Sequence, residues 1–215
     1  AVLMQLSAIA KTTSAWVVGT AQGGLDTGSI ANSTWYHFYV IRRPDTGVVD
    51  VVFSTNATTP TLPANYTQYR RIGSAKTNGS AQWVKFIQDG DVFSLDAPVL
   101  DYNVAGPTSG TITITLASVP LGVRVGANIN VSIINSSGSD YVTLSDLSIA
   151  AVFPSLSAPK ALTVVTFASA AYGIGAGQIM TSTSQGIRSI CNAGSGTTTL
   201  NVTTNGWTDG RGRNS

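Results

Sequence analysis

Glutamate is missing from this chain: all ten acidic residues are aspartate, and lysine occurs only at Lys11, Lys76, Lys85 and Lys160. The strongest charged helix formers are therefore nearly absent, and helix is a poor expectation. Charged residues make up 10% of the chain, where an average globular domain carries about 25%, so the surface is built from Gly, Ser, Thr and Asn instead. One histidine, His37, and one cysteine, Cys191, are too few for a zinc site of the usual kind. A lone cysteine also excludes an intramolecular disulfide, which leaves Cys191 as a small buried hydrophobe. No apolar run spans a bilayer, because the longest, Ser148 to Pro154 and Ala161 to Ala171, are short and interrupted. Gly23 and Gly24 precede no Lys-Ser/Thr pair, so no phosphate-cradling loop is present. The net charge of +2 is mild and its basic residues are scattered, which gives no stripe for nucleic acid. No cofactor is implied.

What the chain does have is strand and turn chemistry. WYHFYVIRR, from Trp35, is an aromatic and β-branched run, and PDTG follows at Pro44. Pro44 pre-sets a turn position, Asp45 bonds local backbone and Gly47 supplies free φ, so the chain reverses into VVDVVFST as a hairpin. Further strands are expected at YRRIGSAK, at QWVKFIQDGDVFSL, at DAPVLDYNVAG and at GTITITL. VRVGANINVSIINSS alternates over a long span, with Ala127, Ile129, Val131 and Ile133 on one side and Asn128, Asn130 and Ser132 on the other. The next segment, to Lys160, supplies its hairpin partner and a proline-marked loop, Pro154 to Pro159. LTVVTFA, GQIMTSTS, GIRSICNA and TTTLNVTTNGW complete the set, with joints at Gly173, Gly175, Gly186, Gly194 and Gly196. Twelve or so short strands without a fixed repeat predict an all-β fold, an antiparallel β-sandwich of the jelly-roll kind. Residues 1–14 read as an N-terminal docking segment, with Val2 to Lys11 either helix-like or a docking strand, and residues 15–215 as a single β-sandwich domain.

Candidate sites are sparse. His37 has no evident nucleophile beside it, and a strand histidine bonded to backbone or a neighbour is the expectation. The pairs Arg42/Arg43 and Arg70/Arg71 are expected to meet Asp45, Asp50 or a partner's Asp. Asp89 and Asp91 flank Gly90, where a turn is the first reading and a calcium site the second. As a carboxylate pair for glycoside hydrolysis they would have to stand in a groove. Trp35, Tyr36, Phe38 and Tyr39 point to both faces of one strand, so something must cover each face. Among the more isolated aromatics, Tyr66, Tyr69, Trp83 and Trp207 are the candidate receptor or ligand contacts. Loops Thr55 to Asn65, Thr77 to Ala81 and Ser136 to Asp140 are the candidate contact loops.

The segment GGLDTGSIANSTWYHFYVIRRPDTGVVDVVFSTNATTPTLPANYTQYRRIGS, with QDGDVFSL after it and NGWTDGRGR near the end, resembles a family of tailed-phage and prophage virion proteins, labelled tail-fibre or phage structural proteins. The likeness runs from about Ala15 to Arg213 and is densest from Gly23 to Leu95. It implies a β-rich virion module without catalytic residues: part of a tail fibre, spike or capsid-surface fibre. Family members often have an upstream portion, so it also implies that these 215 residues are a C-terminal piece or a processed product. The implied location is the virion. The implied partners are further copies of the chain, with a trimer favoured, other virion proteins and host surface polysaccharide, with no membrane insertion. A carbohydrate-binding lectin-like module and a capsid decoration protein that binds only virion subunits stay open as alternatives.

Overall fold

The computed structural model describes residues 4–107, 109–136, 140–153, 162–165, 172–192 and 197–211. Among these residues there is no helix and there are fourteen strands. They fall into two compact units, Ala1–Lys85 with Gly210–Ser215, and Phe86–Asp209. The division comes at Lys85, whereas a single domain was expected from residue 15 onward. The proline-marked loop Pro154 to Pro159 lies outside the described residues.

Unit 1 is one five-stranded sheet. Its strands β1 (Lys11–Ala15), β2 (Gln22–Leu25), β3 (Trp35–Arg42), β4 (Val49–Ser54) and β5 (Gln68–Lys76) take the order β1-β2-β4-β3-β5. The β3 strand pairs antiparallel with β4 and β5, while β1 and β2 are added in parallel. The expected reversal after β3 is present: Arg43 and Val48 close the hairpin, Asp45 accepts from the Thr46 amide, and Gly47 takes φ +74°. Residues 4–10 form no regular element, so the N-terminal segment becomes a strand only at Lys11.

Aromatic density on β3 is resolved by loops rather than by a second sheet. On one face Tyr39 and Ile41 pack with Val52 and with Tyr66, Leu62 and Trp16. On the other Tyr36 and Phe38 meet Phe53, Leu25, Ile30 and Trp83. Ile30, Leu62, Tyr66 and Trp83 lie outside the strands, so the connections themselves supply the covering layers on both sides of the sheet. Edge-to-face geometry recurs among these rings, with Tyr36 5.7 Å from both Phe53 and Trp83.

Unit 2 is a sandwich. It contains β6 (Phe86–Asp89), β7 (Val92–Ala105), β8 (Gly110–Thr115), β9 (Gly126–Asn135), β10 (Tyr141–Ser145), β11 (Leu162–Val165), β12 (Tyr172–Met180), β13 (Gly186–Asn192) and β14 (Thr198–Thr208). One sheet has the order β12-β9-β14-β7-β6 and the other β11-β10-β13-β8. Pairing is nested: β7 with β14, β8 with β13, β9 with β12, and β10 with β11, all antiparallel. A long hairpin rolled into two sheets gives this pattern, which is the jelly roll. The expected hairpin between β9 and β10 is therefore corrected. Those strands belong to opposite sheets, because each must bury its apolar face against the other across the core.

Local chemistry explains the irregular places. The single strand β7 joins two runs expected to be separate, and Pro98 sits where its register with β14 slips and β6 has already ended. A proline, lacking an amide donor, is tolerated there. Gly206 has φ +152° on the β14 side of the same slip, and a Cβ on it would lie 2.0 Å from the Phe93 carbonyl oxygen. That close approach lets Trp207 stack on Phe93, with centroids 5.1 Å apart and planes 7° from parallel. Gly173 and Gly175 are not joints but lie inside β12. A Cβ on Gly175 would come 2.5 Å from Val164, so the absent side chain is the space into which β11 packs.

Candidate functional site

His37 is the only imidazole in the chain, and it is 1% exposed. Its Nδ1 lies 2.8 Å from the Ser74 hydroxyl, which also accepts from Arg71 at 3.2 Å. Ser74 is itself buried within the sheet. This is the expected strand histidine bonded to a neighbour, and a hydroxyl sealed in this way offers no approach to a substrate. Cys191 is equally inaccessible, and burial pushes its thiol up to about 11, with the Asp140 charge adding to the shift. At neutral pH it stays protonated and is a poor nucleophile.

The four aromatic residues proposed as ligand contacts are not gathered into one surface. Trp207 is 1% exposed and stacked in the core of unit 2. Tyr66 is buried against Trp16 in unit 1, with centroids 5.3 Å apart. Trp83 is half-buried over Tyr36, Phe38 and Phe53. Tyr69 remains exposed, edge-on to Tyr39. Buried rings present no face for sugar stacking, so the sequence signal marked core positions more than contacts.

Asp89 precedes and Asp91 lies within a tight reversal. Asp89 pairs with Val92, and between them Gly90 takes φ +56° as the first residue of a two-residue turn. Among the described residues no three His, Cys, Asp or Glu side chains converge as a metal site requires. Of the arginine pairs, Arg43 meets Asp45 at 2.7 Å, while Arg42 donates to Gln68 and Arg71 to Ser74. Asp50 instead takes Lys11, an ion pair that sequence reasoning missed because its members lie on different strands.

The contact loops have internal scaffolds. In Thr55 to Asn65, the Asn56 carboxamide oxygen accepts from the Thr58 and Thr59 amides. In Thr77 to Ala81, the Asn78 oxygen accepts from the Ser80 and Gln82 amides. Of Ser136 to Asp140, residues 137–139 lie outside the described residues, and Asp140 is buried and accepts from Thr198.

Two concavities stand out. In unit 1 a cavity of about 400 Å³ is walled by Leu6, Ile9, Phe38, Phe53, Ile72 and Trp83, so the N-terminal segment forms one side of an apolar recess. In unit 2 a cavity of about 320 Å³ is lined by Arg124, Asp146, Leu147, Ser148, Ser182 and Thr183. Arg124 and Asp146 meet there at 2.5 Å and neutralise each other. Arg188 holds the adjoining loop by donating to the carbonyl oxygens of Asp146, Leu147 and Ile149.

The broadest unusual surface is the outer face of β12, β9, β14 and β7. Its centre is a hydrogen-bonded amide ladder, in which Asn103 donates to Asn201 at 2.5 Å and Asn201 to Ser132 at 3.2 Å. Gln178 continues it by donating to Asn128 at 2.9 Å and to Thr208 at 2.8 Å. No protein-family model, curated protein or solved structure matches the chain. Its class rests on its own architecture: an all-β protein whose larger unit is a jelly-roll sandwich.

Proposed function

We propose that this chain is a structural protein of a bacteriophage virion, a module of a tail fibre, spike or capsid-surface fibre. It assembles with copies of itself, a trimer being the favoured stoichiometry, and with other virion proteins, and its loops touch the host surface. The observation that carries this reading is the nested strand order of unit 2, since jelly rolls recur in viral capsid and lectin domains. Fold alone leaves many functions open. The resemblance of the Gly23 to Leu95 segment and of the NGWTDGRGR ending to phage virion proteins selects among them. A sparsely charged surface of Ser, Thr, Asn and Gly suits this role.

No chemistry is assigned to the protein in this role. The lectin alternative is the weaker one, because Trp207 and Tyr66, two of its four candidate aromatic contacts, are core side chains. The test is to raise antibody against the purified chain and label washed phage particles from a strain that carries the gene, with peptide mass spectrometry on the same particles. Labelling at the tail tip or capsid surface is the expected result. Absence of the chain from intact particles, with its presence in the cell lysate, would refute a virion role.

A further inference from the structure

From Tyr172 to Gly177 strand β12 has its polarity inverted. Along an edge strand of a sandwich, apolar side chains ordinarily face the core and polar ones the solvent. Here Gly173, Gly175 and Gly177 are interleaved with outward-pointing Tyr172, Ile174 and Ala176. Tyr172 is 70% exposed and Ile174 is 69% exposed. The register extends this apolar corner to exposed Ile134 on β9, opposite Tyr172. At the other end of the same face Met180 and Val92 are exposed on either side of Thr208, and the amide ladder lies between the two ends.

None of the residues in β12, β9 and β14 is charged, and the two charges of neighbouring β7, Asp96 and Asp101, lie at its register slips with β14, Asp101 being bonded to Ser118 and Thr204. The buried side of a sheet explains half of that absence, but the outer side is in water and ordinarily carries charge. Identical copies bring identical charges to a shared face, so a face that carries neither sign is one that two copies can share without repulsion. A partner of opposite charge would have nothing here to match. Amides and hydroxyls both donate and accept, so the ladder is complementary to itself in the way a self-associating patch must be. From the spacing of strands and residues the face covers roughly 500 Å² per copy, and two such faces together reach the ~1,000 Å² that a specific interface needs.

We infer that the outer face of β12, β9 and β14 is the surface through which copies of this chain associate. Ile174 and Tyr172 are its apolar anchors and the Asn103–Asn201–Ser132 ladder sets its register. This inference rests on the self-assembling role proposed above and names where the assembly forms.

The test is light scattering with sedimentation on the whole chain, comparing the unchanged protein with Ile174→Lys and Asn201→Lys. Leu121→Lys serves as control, since Leu121 is an exposed apolar residue of unit 2 outside these strands. Near-ultraviolet dichroism verifies that each variant is folded. The expected result is a mass of two or three chains that falls to one chain in both face variants, with the dissociation constant raised about 100-fold or more by an uncompensated buried charge. Leu121→Lys should keep the mass of the unchanged protein. An oligomer that persists in both face variants overturns the surface while leaving self-assembly intact. A chain that is monomeric throughout overturns the surface and the self-assembling role together.

Discussion

Lys11 and Asp50 form an ion pair that the fold of unit 1 cannot easily lose. Their side chains are 5% and 1% exposed, and the ammonium lies 2.9 Å from the carboxylate. Lys11 also donates to the carbonyl oxygens of Val17 and Gly19 and sits 5.4 Å over the Trp16 ring. Asp50 accepts from the amides of Gly19 and Val51. Both charges are therefore desolvated and fully bonded, and the pair ties edge strand β1 to β4. Removing one partner strands the other, so Lys11→Met and Asp50→Leu should each destabilise unit 1 by about 3–5 kcal/mol. The double variant leaves no orphaned charge, and the Val17 carbonyl, on an exposed residue, regains water. Its total cost should be about 3 kcal/mol, well below the sum of the single changes. Urea unfolding followed by tryptophan fluorescence in a Trp207→Phe background isolates unit 1, whose remaining reporters are Trp16, Trp35 and Trp83. Strict additivity, or single costs below about 1 kcal/mol as for a surface pair, would refute the reasoning.

Three further outcomes follow from the packing. Gly206→Ala should lower the melting temperature of unit 2 more than any other single methyl addition, because its Cβ would strike the Phe93 carbonyl at 2.0 Å; calorimetry that finds it neutral would contradict the bulge. Cys191 should resist a thiol reagent until the chain unfolds, and fast labelling of the native protein would show that its burial is wrong. Burial pushes the Cys191 thiol up to about 11 and the Tyr39 hydroxyl up to about 12, so each favours its protonated form in the fold. Stability should thus be complete below pH 9 and fall as pH rises from 9 toward 11 through Cys191, and from 10 toward 12 through Tyr39. Denaturant titrations across that range should show the first loss removed by Cys191→Ala and the second by Tyr39→Phe.

Much of the secondary structure could be read from the residues because its causes are local. The aromatic run of β3, the PDTG turn and the alternation of β9 each announce themselves within a dozen positions, and the strands form there. What stayed hidden is pairing at a distance. Among the eight nested strands β7 to β14 only β10 and β11 are neighbours in both chain and sheet, so hairpin reasoning wrongly joined β9 to β10. Glycine misled in β12, where Gly173 and Gly175 lie inside the strand and Gly175 leaves the space that Val164 fills rather than making a turn. Trp207 stood among the candidate ligand contacts, yet the glycine before it is what allows it into the core. The inverted face of β12 was present in the letters YGIGAGQIM. It became informative only once the glycines were known to point inward.

The nested pairing also dictates an order of events during synthesis. Strands β7 and β9 are both bonded to β14, which is the last strand of unit 2 to leave the ribosome. Until Thr198–Thr208 emerges, the middle of that sheet is a slot with two unsatisfied edges, exposed for the time needed to make the intervening chain. Contacts of such long sequence separation fold slowly and expose strand edges to neighbours. Unit 1, whose sheet is complete once β5 has been made, is under no such delay. Nascent chains of this protein, made close together on one message, should thus meet one another with the slot still open.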